Sequence, residues 1–138
     1  MGTGFVTVLL DTHVWIWAFE GSERLGKMAR ELLEDPANER WISTVSTLEL
    51  ARLAARSELA LSCPLSDWIA SSCRALRLQT QPVTQEIALE SYAFPGAFHP
   101  DPADRQIVAT ARLGGFSLLT ADRRILEYPD VAALDATR

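Results

Sequence analysis

Short apolar runs alternate along this chain with longer segments that carry apolar residues at helical spacing. That alternation decides the fold class. Phe5–Leu10 and Phe116–Thr120 are nearly continuous apolar runs of strand length. A strand that is apolar on both sides must be covered on both faces, as in a parallel sheet packed between helices. Weaker strands are expected at 41–43, 80–83 and 131–134. In the intervals, Val14–Phe19 reads as a helix entered from Asp11 and closed by Gly21. Ser22 opens a second helix with Leu25, Met28, Ala29, Leu32 and Leu33 on its apolar face, broken by Asp35–Asn38. Ser46-Thr47-Leu48-Glu49 has the S-x-x-E form of a capping box ahead of Leu50, Leu53 and Ala54. Pro64–Leu78 carries Trp68, Ile69 and Leu76, and Thr84 caps a helix through Ile87. Asp101 or a neighbour caps a helix closed by Gly114-Gly115, and Asp122–Tyr128 is a short last helix. The expected fold is α/β, three layers, with a mostly parallel central sheet flanked by helices. With no repeat, low-complexity tract or linker, residues 1–138 are expected to form one domain.

The balance of residues narrows the function classes. A net charge of −5 argues against a broadly basic nucleic-acid surface, though not against a local one. Cys63 and Cys73 fit no metal spacing and read as small apolar residues. No apolar run approaches a membrane span, and the N-terminus lacks the features of a signal peptide. A cytoplasmic protein with no membrane partner is expected. The first strand leads into Asp11-Thr12-His13 with no glycine, which argues against a dinucleotide loop. The sole lysine, Lys27, disfavours a receiver-type phospho-acceptor site. His13 and His99 have no evident serine or cysteine elbow.

Asp11, Glu49, Asp104 and Asp122 each fall where the pattern expects a helix to begin. Asp11 and Asp122 also follow apolar strands. In a parallel sheet the strand ends and helix starts share one rim, where such folds place ligands. Taken singly, each acid has an ordinary explanation as a helix cap. Taken together, clustered carboxylates repel one another and raise each other's pKa unless something positive lies between them. An oxygen-rich pocket of this kind suits a hard divalent cation.

Four segments carry a resemblance: Leu9-Leu10-Asp11-Thr12-His13-Val14-Trp15, Ser46-Thr47-Leu48-Glu49-Leu50, His99 through Ala111, and Leu119-Thr120-Ala121-Asp122-Arg123-Arg124-Ile125. In order and content they resemble the signature segments of PIN-domain ribonucleases, and more narrowly the VapC toxins of bacterial toxin–antitoxin pairs. The resemblance implies a PIN-like three-layer sheet and a Mg²⁺- or Mn²⁺-dependent endoribonuclease of a type II system. It implies that Asp11, Glu49, Asp104 and Asp122 are the catalytic, metal-binding acids. Thr120 matches a supporting hydroxyl position, and Asp101 is a cap or outer group. Arg52 stands where relatives often carry a lysine.

Hydrolysis of a phosphodiester by such a site would leave a 5′-phosphate and a 3′-hydroxyl. Arg105, with Arg123 and Arg124, is a candidate for contact with phosphate. Its spacing four residues after Asp101 equally suits an ordinary helix-surface pair. His13 and His99 are expected to line the site rather than to ligate Mg²⁺, which prefers oxygen. Trp15 and Trp17 are expected in the core or at an interface, with base stacking as the alternative. By the same resemblance the partners are a structured RNA such as tRNA or rRNA, a cognate antitoxin protein and a second copy of the chain. The competing expectation is a catalytically silent PIN-like module that binds RNA or protein, its acids serving only as caps.

Overall fold

The computed structural model describes residues 5–138. Its elements run β1 (Thr7–Leu10), α1 (Thr12–Glu20), α2 (Lys27–Glu34), β2 (Glu39–Ser43), α3 (Thr44–Ala55), α4 (Leu65–Ala75), β3 (Leu78–Gln81), α5 (Gln85–Glu90), α6 (Pro102–Gly114), β4 (Ser117–Thr120), α7 (Arg123–Leu126) and β5 (Ala133–Asp135). The strands form one sheet of order β3-β2-β1-β4-β5, and every neighbouring pair is parallel. Helices cover both faces, so the expected α/β/α layering is the observed one.

The pleat sorts the apolar runs. Val8 and Leu10 point into one core with Val14, Trp15, Ile42 and Trp68. Leu9 points into the other with Ile107, Val108 and Ile125. Leu118 and Leu119 divide in the same way. All five of these strand leucines and valines in β1 and β4 are at most 1% exposed. Burying each stabilises the fold by roughly 2 kcal/mol. Trp15 belongs to this core. Its ring lies 5.3 Å from Trp68 and its indole N–H donates to Ser72 Oγ at 2.9 Å, so it is not a base-stacking platform.

Several boundaries differ from the sequence expectation. Phe5 and Val6 lie outside β1, and Phe5 is exposed. The second helix starts at Lys27 rather than behind Ser22. The C-terminal tail docks at its start: Gly26 N–H donates to Ala136 O and Ala29 N–H to Arg138 O. A Cβ on Gly26 would sit 2.2 Å from the Arg138 backbone, so only glycine admits the tail. The third strand comes two residues early, after Arg77 turns the chain with φ of 53°. The helix start expected at Ser46 is at Thr44 instead. Ser43 is its cap, accepting from Val45 N–H at 3.0 Å, and Ser46 and Glu49 lie within the helix.

Between β1 and β4 the order reverses, since β1 leads on to β2 on one side while β4 lies on the other. Open parallel sheets form a crevice at such a point, beyond the carboxyl ends of the strands. Leu10 pairs in register with Leu119 there, which brings the next residues, Asp11 and Thr120, side by side.

Candidate active site

At this crevice lies an open cavity of about 430 Å³, lined by Asp11, Thr12, His13, Trp17, Glu49, Asp101, Asp104, Ala121, Asp122 and Arg124. Each side chain arrives for a local reason. Asp11 leaves β1 in extended conformation and caps α1, its Oδ1 accepting from Thr12 N–H at 2.8 Å. Its backbone N–H donates to Leu119 O, and its Oδ2 accepts from Thr120 Oγ1 at 2.7 Å. Thr120, fully buried, also accepts from Asp122 N–H at 3.0 Å. One hydroxyl thus joins the two strand-end acids.

Glu49 reaches the cavity from the second turn of α3 and accepts from Thr12 Oγ1 at 2.5 Å. Thr12 Oγ1 also lies 2.8 Å from Ser46 Oγ. A hydroxyl has one proton to give. With that proton on Glu49, Ser46 donates to Thr12 in turn. Asp104 sits in the first turn of α6, where its backbone N–H donates to the Asp101 cap at 3.1 Å. Its carboxylate is thereby left for other work. His99 Nε2 lies 3.2 Å from Asp104 Oδ2. Arg124 Nη2 lies 3.1 Å from Asp122 Oδ2 and 3.8 Å from Asp104 Oδ2.

The structure therefore gathers Asp11, Glu49, Asp104, Asp122, Asp101 and His13 around one space, with Thr120 buried beneath it. His13 is exposed at the rim. Arg105 is directed elsewhere. Its guanidinium donates to the carbonyls of Ser91, Phe98 and His99 and lies against the rings of Tyr92 and Phe94. Its role as a phosphate contact gives way to that of a fastener for the loop before α6. Arg52 is exposed on α3 and does not line the cavity. Thr12 acquires a position that its sequence pattern left without a role, Ser46 bonds Thr12 instead of capping a helix, and Arg124, a candidate phosphate contact, lines the cavity. The only sequence signal for Thr12 was that it directly follows Asp11.

The electrostatics follow from the crowding. Burial raises the pKa of Asp11 against the lowering effect of its bonds from Thr120 and Thr12. Burial likewise raises Glu49, with Asp11 adding to the rise. Asp104 is pushed up to about 7 by burial and by the charges of Asp11, Asp101, Asp122 and Glu49. Asp122 is lowered instead: burial opposes its ionisation, but the hydrogen bonds from Arg124 prevail. His99 is lowered by burial and by Arg124, which keeps its imidazole neutral near pH 7. A pocket in which carboxylates hold protons against each other is short of positive charge. His99, Asp104 and Asp122 each present a ligand atom within 4.8 Å of the others, and the remaining donors are carboxylate oxygens. Residues and charge alike fit a divalent cation.

The family described as the PIN domain matches residues 8–131. Ribonuclease VapC22 of Mycobacterium tuberculosis is 38% identical over 122 residues, 88% of this chain and 92% of that protein. Among solved structures, VapBC-1 from nontypeable Haemophilus influenzae superposes with a TM-score of 0.62 at 18% identity, covering 96% of this chain and 100% of that one. A toxin–antitoxin complex from Klebsiella pneumoniae gives 0.60 at 20% identity, covering 94% and 97%. At these identities the likeness speaks for the fold.

Proposed function

This chain belongs to the PIN-domain family, in its VapC-type branch, and from that premise we propose that it is a Mg²⁺- or Mn²⁺-dependent endoribonuclease acting as the toxin of a type II toxin–antitoxin pair. The observation that carries the reading is the convergence of Asp11, Glu49, Asp104 and Asp122, from four separate parts of the chain, on one cavity. Capping would suffice to explain Asp11 and Asp122, which both cap helices. It does not explain Glu49 or Asp104. Glu49 lies inside α3, and the α6 cap is Asp101. A catalytically silent RNA- or protein-binding module has no use for two further half-buried carboxylates with raised pKa values.

In this reading the four acids hold the ion. Bound there, Mg²⁺ or Mn²⁺ would supply the Lewis acidity that activates water and stabilises charge on a phosphodiester. The chain's own contribution is orientation. Thr120 and the Thr12 N–H hold the two oxygens of Asp11, and the Thr12 hydroxyl holds Glu49. Each acid then presents its free lone pairs to the cavity without rotating. Asp104, its pKa pushed up to about 7, would serve as a ligand in its ionised form, so ion binding there would be coupled to release of its proton. Arg124 offsets part of the negative charge and offers a guanidinium at the cavity wall, where an RNA phosphate needs one. His13 supplies an exposed imidazole beside it.

The partners of this reading are a structured RNA such as tRNA or rRNA, a cognate antitoxin and a second copy of the chain. Similarity to proteins solved as VapBC or toxin–antitoxin complexes supports the antitoxin. We read residues 1–138 as one catalytic unit working in the cytoplasm; among the described residues no helix is long and apolar enough to cross a membrane. The test is digestion of total RNA and of single-stranded DNA by pure protein with Mg²⁺. Wild type should cut RNA, and Asp11→Asn should not, with an unchanged far-ultraviolet spectrum. Equal cleavage by the two proteins would end the proposal, and DNA cut as fast as RNA would replace the substrate.

A further inference from the structure

His99 does not line the cavity itself but sits behind Asp104, one of the acids that do. Its side chain is 11% exposed, and both ring nitrogens are shut off from solvent with no hydrogen-bond partner among the described residues. Its Nε2 is 3.2 Å from Asp104 Oδ2, yet the geometry does not make a hydrogen bond. A buried imidazole without partners costs free energy and calls for an explanation. The residue is also held in place. Its ring lies 4.3 Å from that of Phe98, and its carbonyl accepts from Arg105 at 3.3 Å. One ligand atom each from His99, Asp104 and Asp122 falls within 4.8 Å of the other two.

The geometry points to His99, Asp104 and Asp122 as a nitrogen–oxygen–oxygen ligand set that favours a transition ion, Mn²⁺ or Co²⁺, over Mg²⁺. Resting on the reading of the cavity as a metal site, this goes further in giving one position a nitrogen donor. The physical reason is ligand preference. Imidazole binds first-row transition ions well, with affinity rising from Mn²⁺ to Co²⁺, whereas Mg²⁺ seeks oxygen and keeps its waters. Glu49 and Asp11 offer only oxygen, each already braced by a threonine. The two parts of the cavity thus differ in donor chemistry. Loss of the ring should therefore discriminate between ions rather than weaken all of them.

The test is isothermal titration of MgCl₂, MnCl₂ and CoCl₂, one at a time, into wild type, His99→Ala and Asp104→Asn. The inference expects His99→Ala to bind Mn²⁺ and Co²⁺ about tenfold or more weakly, with the larger loss for Co²⁺, and Mg²⁺ within about twofold of wild type. The Co²⁺ visible absorption of wild type should shift in the same variant. His99→Ala binding all three ions as wild type does would overturn it. So would an equal loss for all three, which would mean that the ring only holds Asp104 in position. Asp104→Asn tests the underlying reading. If it binds every ion like wild type, the cavity is no metal site and both ideas fall. If it loses them while His99→Ala does not, only the imidazole ligand is wrong.

Discussion

Thr120 Oγ1 donates to Asp11 Oδ2 at 2.7 Å across 109 residues of sequence, and the same oxygen accepts the backbone N–H of Asp122. This single hydroxyl fixes the spacing of the two strand-end acids. Thr120→Val keeps the shape and removes both bonds. A buried carboxylate deprived of its donor costs roughly 1–3 kcal/mol. The variant should lose about that much stability in urea unfolding without metal, and it should bind Mn²⁺ more weakly. A variant as stable as wild type, with unchanged affinity, would show that the hydroxyl orders nothing.

Asp104 gives the site a pH dependence of unusual sign for an acid. Its pKa is about 7 in the folded chain against an ordinary 3.8, so the folded state keeps a proton that the unfolded state releases. Where the unfolded state binds fewer protons, stability falls as pH rises. For this group the fall runs from about pH 4 to about pH 7. Burial raises Asp11 and Glu49 as well, with the same sign. Asp104→Asn should therefore flatten, but not abolish, the decline in metal-free melting temperature. At about pH 8 it should melt above wild type by on the order of 5 °C. Identical slopes for the two proteins would contradict the assignment. Because a cation must displace that proton, stabilisation by Mn²⁺ should grow from about pH 5.5 to about pH 7.5.

Arg105 fastens the loop before α6 through three carbonyls and two aromatic faces. A lysine cannot reproduce that fork. Arg105→Lys should cost roughly 2 kcal/mol and raise amide exchange between residues 91 and 99. The salt dependence of RNA binding should stay as in wild type, since no phosphate contact is lost. Arg124→Ala should leave stability nearly intact and reduce that dependence. The reverse pattern would return Arg105 to the substrate.

What the sequence made legible and what it hid divide along the range of the interactions. Asp11 and Asp122 follow apolar strands and cap the next helix, a local pattern, and the structure has both caps. Asp101-Pro102 and Gly115 mark the two ends of α6 by equally local chemistry, with Gly115 at φ of 67°. Ser46-x-x-Glu49 misled because Ser43 offers a rival cap three residues earlier. The choice between them is made by β2, which pairs with β3 as far as Ser43. The start of α2 depends on the tail that docks on Gly26, and β3 on a left-handed Arg77 that no residue type announces. The placements of His99 and Arg105 depend on a loop folding back over α6. Patterning therefore revealed which acids follow strands, while their shared cavity, the Thr12–Glu49 bond and the orphaned imidazole required tertiary contacts.

The central claim is that acids from separate parts of the chain form one site for a divalent ion. It is tested most directly by the melting temperature of wild type and Asp11→Asn with and without millimolar Mn²⁺ at about pH 7.5. An ion that binds only the folded state stabilises it by RT ln(1 + [L]/Kd), about 2.7 kcal/mol at a hundredfold excess over Kd. The account predicts a clear rise for wild type and little or none for Asp11→Asn. A wild type that melts at the same temperature with and without the ion would contradict it.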